Sequence, residues 1–105
     1  MAIVNASDQS FSTDVEGSGT VLVGFWAPWC GPCRMLAPVL EELDKEISES
    51  VQVVKVNVDD NPETASRFGV MSIPTLIVFK DGQPVDKTVG FQSKDALKNV
   101  LSRHQ

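Results

Sequence analysis

Three runs rich in β-branched and apolar residues constrain this chain more than any other feature. They are Val21–Trp26, the stretch holding Val51, Val53, Val54, Val56 and Val58, and Thr75–Phe79. Runs of this length that lack a regular polar alternation read as strands buried on both faces. Such strands need helices to cover them, and helical periodicity lies between them. Leu36, Val39, Leu40, Leu43 and Ile47 fall on one face, with Glu41, Glu42, Lys45 and Glu46 on the other. Pro38 inside that pattern removes the hydrogen bond to the Arg34 carbonyl and predicts a kink. Asn61-Pro62-Glu63 is a helix start, with a side-chain cap, a first-turn proline and a carboxylate near the positive end; Gly69 is its stop.

The flanks complete the order. Ile3 and Val4 suit a short edge strand, and Ser7 or Asp8 can cap a weak helix holding Phe11 and Val15, ended by Gly17 and Gly19. Asp81-Gly82 turns the third long strand into a hairpin partner over Val85–Val89. Ser93 caps a last helix whose Ala96, Leu97, Val100 and Leu101 face inward. The order β-α-β-α-β-α-β-β-α predicts an α/β layered domain, parallel at first, with an antiparallel edge and helices on both faces.

With 105 residues the chain reads as one domain over 1–105. It is 42% hydrophobic with a net charge of −5, which excludes intrinsic disorder. A chain of this size buries roughly two-thirds of its unfolded surface, so its two cysteines are not needed as staples. The 9 basic residues are scattered among 14 acidic ones, which argues against nucleic acid. No apolar run approaches the ~20 residues of a membrane helix. Met1–Asn5 lacks the basic region and long apolar core of a secretory leader. The expected compartment is the cytoplasm, where thiols stay reduced.

Cys30-Gly31-Pro32-Cys33 follows the first long strand and opens the long helix. Unpaired N–H groups in a first helical turn stabilise a thiolate and raise its nucleophilic fraction. Cys30, at the tip, is expected to be exposed and to attack; Cys33, one turn in, is expected to be more buried. Pro32 stiffens the turn between them. Zinc normally takes four ligands, and His104 is the one other candidate. A structural disulfide would close a very small loop and stabilise little. Two unrelated buried cysteines would leave their place at a strand-to-helix junction unexplained. A redox pair accounts for it best.

The stretch Val23-Gly24-Phe25-Trp26-Ala27-Pro28-Trp29-Cys30-Gly31-Pro32-Cys33-Arg34 resembles the thioredoxin family. So do Ala37-Pro38, Asn57-Val58-Asp59, Ile73-Pro74-Thr75, Phe79-Lys80-Asp81-Gly82 and Val89-Gly90, in the family's order along nearly the whole chain. The resemblance implies a mixed sheet of about five strands and a protein-disulfide reductase working by dithiol exchange. The Gly31-Pro32 pair matches the family's reducing members rather than its oxidases or isomerases. The chain has no glycine-rich nucleotide motif of its own. The resemblance therefore implies no bound cofactor, with NADPH and flavin belonging to a partner thioredoxin reductase, and disulfide-bearing proteins as substrates of a monomer. A non-catalytic subunit docking through Trp29 and Ile73–Pro74 is the alternative from another class.

On residue chemistry alone only about 5–6% of X–Pro bonds are cis in folded proteins; the resemblance implies a cis Ile73–Pro74 bond beside the cysteines. It also implies that the Ile73 backbone pairs with an incoming substrate strand. Trp29, Ile73, Pro74, Val89, Gly90 and Phe91 are the expected apolar substrate surface. Trp26 is expected in the core and His104 at a frayed end. Gly24 stands where the family usually has a buried aspartate that relays a proton for Cys33. Its place here implies slower resolution, with Lys55 on the neighbouring strand as the nearest substitute group.

Overall fold

The computed structural model describes residues 2–105; Met1, part of the segment read for a leader, lies outside them. The elements are β1 (Val4–Asn5), α1 (Phe11–Val15), β2 (Thr20–Trp26), α2 (Gly31–Ile47), β3 (Val51–Asn57), α3 (Pro62–Arg67), β4 (Thr75–Lys80), β5 (Gln83–Val89) and α4 (Lys94–Ser102). They build a five-stranded sheet in the order β1-β3-β2-β4-β5. β1 and β2 flank β3 in parallel, β4 runs antiparallel to β2, and β5 closes the hairpin. This is the α/β layered architecture with an antiparallel edge that the strand runs predict, and the mixed five-stranded sheet that the resemblance implies.

Strand alternation divides the core into two layers. Val21, Val23 and Phe25 of β2 join Val54, Val56 and Phe79 against α1 and α3. Phe11, Phe68 and Phe79 pack there with ring centroids 5.1–5.7 Å apart. Leu22, Val51, Val53, Leu76 and Val78 face the other way, onto Leu36, Leu40 and Leu43 of α2 and Leu97 and Leu101 of α4. β2 is central and buried from Thr20 to Phe25, so its carboxyl end is a fixed platform for the loop and helix beyond it.

Helix capping departs from the sequence reading at α3. Asp8 does not cap α1; Ser7 does, its hydroxyl oxygen accepting from the Ser10 N–H at 3.1 Å in the turn that leads into the helix at Phe11. Asn61 sits at the N-cap of α3 but its side chain makes no capping bond. Instead Asp8 accepts from the Thr64 N–H at 2.9 Å and the Thr64 hydroxyl at 2.6 Å, while Asn61 Oδ1 accepts from the Asp8 N–H at 2.9 Å. The two side chains have exchanged partners across the fold, and the Thr64 hydroxyl holds the Asp8 carboxyl below its ordinary range. Ser93 caps α4 as expected, accepting from the Ala96 N–H. Pro38 lies inside α2, a single helix of 17 residues. Asp81 and Gly82 both have positive φ, the geometry of a two-residue hairpin turn.

His104 is not a frayed end. Its ring lies 3.0 Å from Asp86, and its carbonyl accepts from Lys80 Nζ at 2.8 Å. Polar partners on β4 and β5, remote in sequence, hold the terminus against the sheet.

Candidate redox site

β2 ends at Trp26, and the chain turns through Ala27–Trp29 into α2. Cys30 is the N-cap of α2, in extended conformation, and Pro32 lies in the first turn, where its missing N–H costs nothing. The Cys33 N–H donates to Cys30 Sγ at 3.2 Å. That bond and the open N–H groups of the first turn favour negative charge on the Cys30 sulfur. Cys30 and Cys33 are joined as a disulfide, with Cα atoms 5.2 Å apart. The pairing uses both cysteines of the chain.

The expected contrast in exposure does not hold. Cys30 is 4% exposed and Cys33 5%. Both pack with Ala27 under Trp26, Val58 and Ile73, and this cover removes the exposed tip anticipated for Cys30.

The peptide bond between Ile73 and Pro74 is cis, and the Ile73 carbonyl oxygen lies 3.7 Å from Cys30 Sγ. Pro74 in turn accepts at its carbonyl from the Gly90 N–H at 2.8 Å, and Val89 pairs with Thr75. Trp29 and Ile73 meet in an apolar groove of about 430 Å³, which Val58, Ala65, Val70 and Met71 also line. Trp29 is 67% exposed, and its indole N–H donates to Asp59 at 2.9 Å. Val89, Gly90 and Phe91 do not line this groove; they stand on the Pro74 side of the pair, with Val89 and Phe91 exposed. Sequence reasoning assigned no site role to Asp59, Val58, Ala65, Val70 or Met71. Asp59 was within reach of it: β2 and β3 are parallel with Trp26 opposite Asn57, so residues just after Asn57 fall beside the loop before Cys30.

Gly24 is buried on β2 opposite Lys55 of β3 and Leu76 of β4. A Cβ there would meet Leu76 Cδ2 at 3.3 Å and Leu40 Cδ1 at 3.4 Å, both ends of leucine side chains. Lys55 carries its ammonium 4.7 Å from the centre of the Trp26 ring, and that ring packs against the cysteine pair. Trp26 is therefore half-buried cover for the site rather than deep core.

A Cys-Gly-Pro-Cys disulfide at the N-terminus of a helix, fed by a central buried strand, defines a dithiol–disulfide oxidoreductase that carries its redox group in its own chain. Residues 2–103 match the sequence model of the Thioredoxin family. The chain is 58% identical over 104 residues to the thioredoxin of Bacillus subtilis (strain 168), and 60% identical over 104 residues to that of Staphylococcus aureus (strain Mu50 / ATCC 700699). Each match covers 99% of both chains. The chain belongs to the thioredoxin family and is an oxidoreductase that reduces protein disulfides. Among the described residues no helix is long and apolar enough to cross a membrane.

Proposed function

We propose that Cys30 is the attacking sulfur and Cys33 the resolving one, in a single domain spanning residues 1–105. The Cys30 thiolate displaces one sulfur of the substrate disulfide and forms a mixed disulfide. The Cys33 thiol then loses its proton and attacks Cys30 Sγ, releasing the second substrate thiol and leaving Cys30–Cys33 oxidised. The observation that carries this assignment is the hydrogen bond from the Cys33 N–H to Cys30 Sγ, which holds charge on Cys30 and places Cys33 one helical turn behind it. Gly31 and Pro32 shape that turn. Trp29, Ile73, Pro74, Val89, Gly90 and Phe91 receive the substrate polypeptide around it.

Two electrons return from a flavin-dependent thioredoxin reductase that draws them from NADPH. The protein works as a cytoplasmic monomer on disulfide-bearing proteins, without nucleic acid, a membrane or a bound metal. Gly24 supplies no carboxylate to take the Cys33 proton, so that proton leaves through water, with Lys55 the nearest cationic group on the adjoining strand.

The test is trapping. Cys33→Ser should accumulate a stable mixed disulfide between Cys30 and a protein substrate, while Cys30→Ser should accumulate none. Trapping through Cys33 in the Cys30→Ser protein would reverse the assignment. For Gly24, disulfide-exchange rates of Gly24→Asp and the parent are compared from about pH 5 to pH 9, the range in which a proton relay shows. The parent should resolve more slowly with a different profile; coincident profiles would remove any role for the position.

A further inference from the structure

Met71 is 95% exposed, the most exposed of the large apolar side chains among the described residues. Its surroundings are fixed. Just before it, the Val70 N–H donates to the Ala65 carbonyl at 2.9 Å; just after it, the Ser72 carbonyl accepts from the Thr75 hydroxyl at 2.6 Å. Val70 and Ile73, on either side, are half-buried and pack against the core. The fold thus pins the backbone and half-buries Val70 and Ile73, yet holds one long thioether in water at the rim of the groove that Trp29 and Ile73 share beside Cys30. Among the described residues the Met71 side chain belongs to no buried cluster. A methionine is flexible and polarisable, suited to apolar partners of varied shape.

We propose that Met71 is an oxidisable specificity residue. Its thioether packs on apolar side chains next to the disulfide of a polypeptide substrate, and oxidation to the sulfoxide by a hydroperoxide weakens that packing. The occupant is set by continuity: the groove is walled by Trp29, next to Cys30 in the chain, and by Ile73, whose carbonyl oxygen lies 3.7 Å from Cys30 Sγ, so a chain whose disulfide reaches Cys30 lays its flanking residues there. The inference rests on the dithiol-reductase reading of the same site. In the oxidation, the Met71 sulfur gives two electrons to the peroxidic O–O bond, which breaks as the S–O bond forms. The hydroperoxide proton goes to the leaving oxygen, which departs as the alcohol, or as water from hydrogen peroxide. The product is polar, chiral and reversible by methionine sulfoxide reductases.

Hydrogen peroxide is the probe. The protein is treated in its disulfide form, so that Cys30 and Cys33 offer no thiolate for over-oxidation, then freed of peroxide and reduced with dithiothreitol. Peptide mapping locates the sulfoxides. Met35, 64% exposed on α2, is the internal comparison and is also removed as Met35→Leu. Two substrates are measured, insulin and a small aryl disulfide too short to fill the groove. With Met71 oxidised, KM for insulin should rise about two- to tenfold, the range expected for a lost thioether contact. The rate toward the small disulfide should stay constant. The rise should persist in Met35→Leu, reverse with methionine sulfoxide reductase, and be absent in Met71→Leu compared with its own untreated sample. An unchanged KM in protein carrying the Met71 sulfoxide overturns the proposal. So does an equal rise in treated Met71→Leu, or an equal loss on both substrates. Failure of the reductase reading looks different, because the untreated protein would then reduce neither substrate.

Discussion

At the end of the sheet where β2 and β3 finish, Trp29, Met71, Val89 and Phe91 stand in water around a buried disulfide. At the opposite end the chain closes on itself. Asp81 and Gly19 exchange two hydrogen bonds, at 2.8 and 2.9 Å, and the His104 carbonyl takes Lys80 Nζ and lies near the Thr20 hydroxyl. Asp86 gathers His104 and then Arg103, which together hold its carboxyl below the ordinary range. One end ties its turn and its terminus to the sheet by polar contacts, with Val85 its one exposed large apolar side chain among the described residues. The other leaves large apolar groups without internal partners. We propose that the apolar surface beside the disulfide is kept for the substrate polypeptide. Changes at the open end should therefore appear in kinetics and changes at the closed end in stability.

The largest separation is expected at Trp29. Trp29→Ala removes an exposed aromatic anchor beside Cys30, and kcat/KM for insulin should fall about tenfold, as for an interface anchor worth more than ~1 kcal/mol. Its unfolding free energy in urea should stay within about 0.5 kcal/mol of the parent, because the side chain supports no core. A stability loss larger than the kinetic one would break the contrast. At the closed end, Lys80→Met removes the hydrogen bond to the His104 carbonyl. Urea unfolding should show a loss of about 1 kcal/mol, with kcat/KM for insulin unchanged.

The smallest effect is electrostatic and lies between α2 and α4. Hydrogen bonds from Lys94 and then Lys98 hold the Glu46 carboxyl down to about 2, from an ordinary 4.5. The folded state therefore keeps Glu46 charged where the unfolded chain has begun to protonate it. That contribution is present in full above about pH 4.5 and is lost as the pH falls toward 2. Glu46→Gln should flatten the acid limb of the melting temperature against pH between those values, with no change near neutrality beyond the loss of an exposed pair. An unaltered acid limb would remove Glu46 as a pH-sensitive tie.

Much of the frame was legible because it is written locally. The valine-rich runs, the heptad-like face of α2 and the Asp81-Gly82 turn each carry their signal within a few residues, and Cys30-Gly31-Pro32-Cys33 does the same for the chemistry. The misread features depend on groups far apart in the chain. Asp8 and Thr64 are 56 residues apart, so the true cap of α3 resembles a cap for α1 when only neighbours are compared. His104 and Lys80 are separated by 24 residues, and a terminal histidine reads as loose until the sheet edge beneath it is known. The groove shows the same limit. Val58, Ala65, Val70 and Met71 come from the end of β3, from α3 and from the segment before β4, and each alone reads as an ordinary apolar residue. The burial of Cys30 was missed for that reason: its cover comes from Val58 and Ile73 as well as from Trp26.

The central claim is that electrons pass through Cys30 and Cys33 and that the open end is built to deliver a substrate to them. A thioredoxin-reductase-coupled assay of NADPH oxidation, with insulin as the terminal disulfide, tests it most directly. The parent protein should drive NADPH consumption, and Cys30→Ser, shown by circular dichroism to keep its fold, should not rise above the reductase alone. Equal turnover by Cys30→Ser, or none by the parent, would contradict the account.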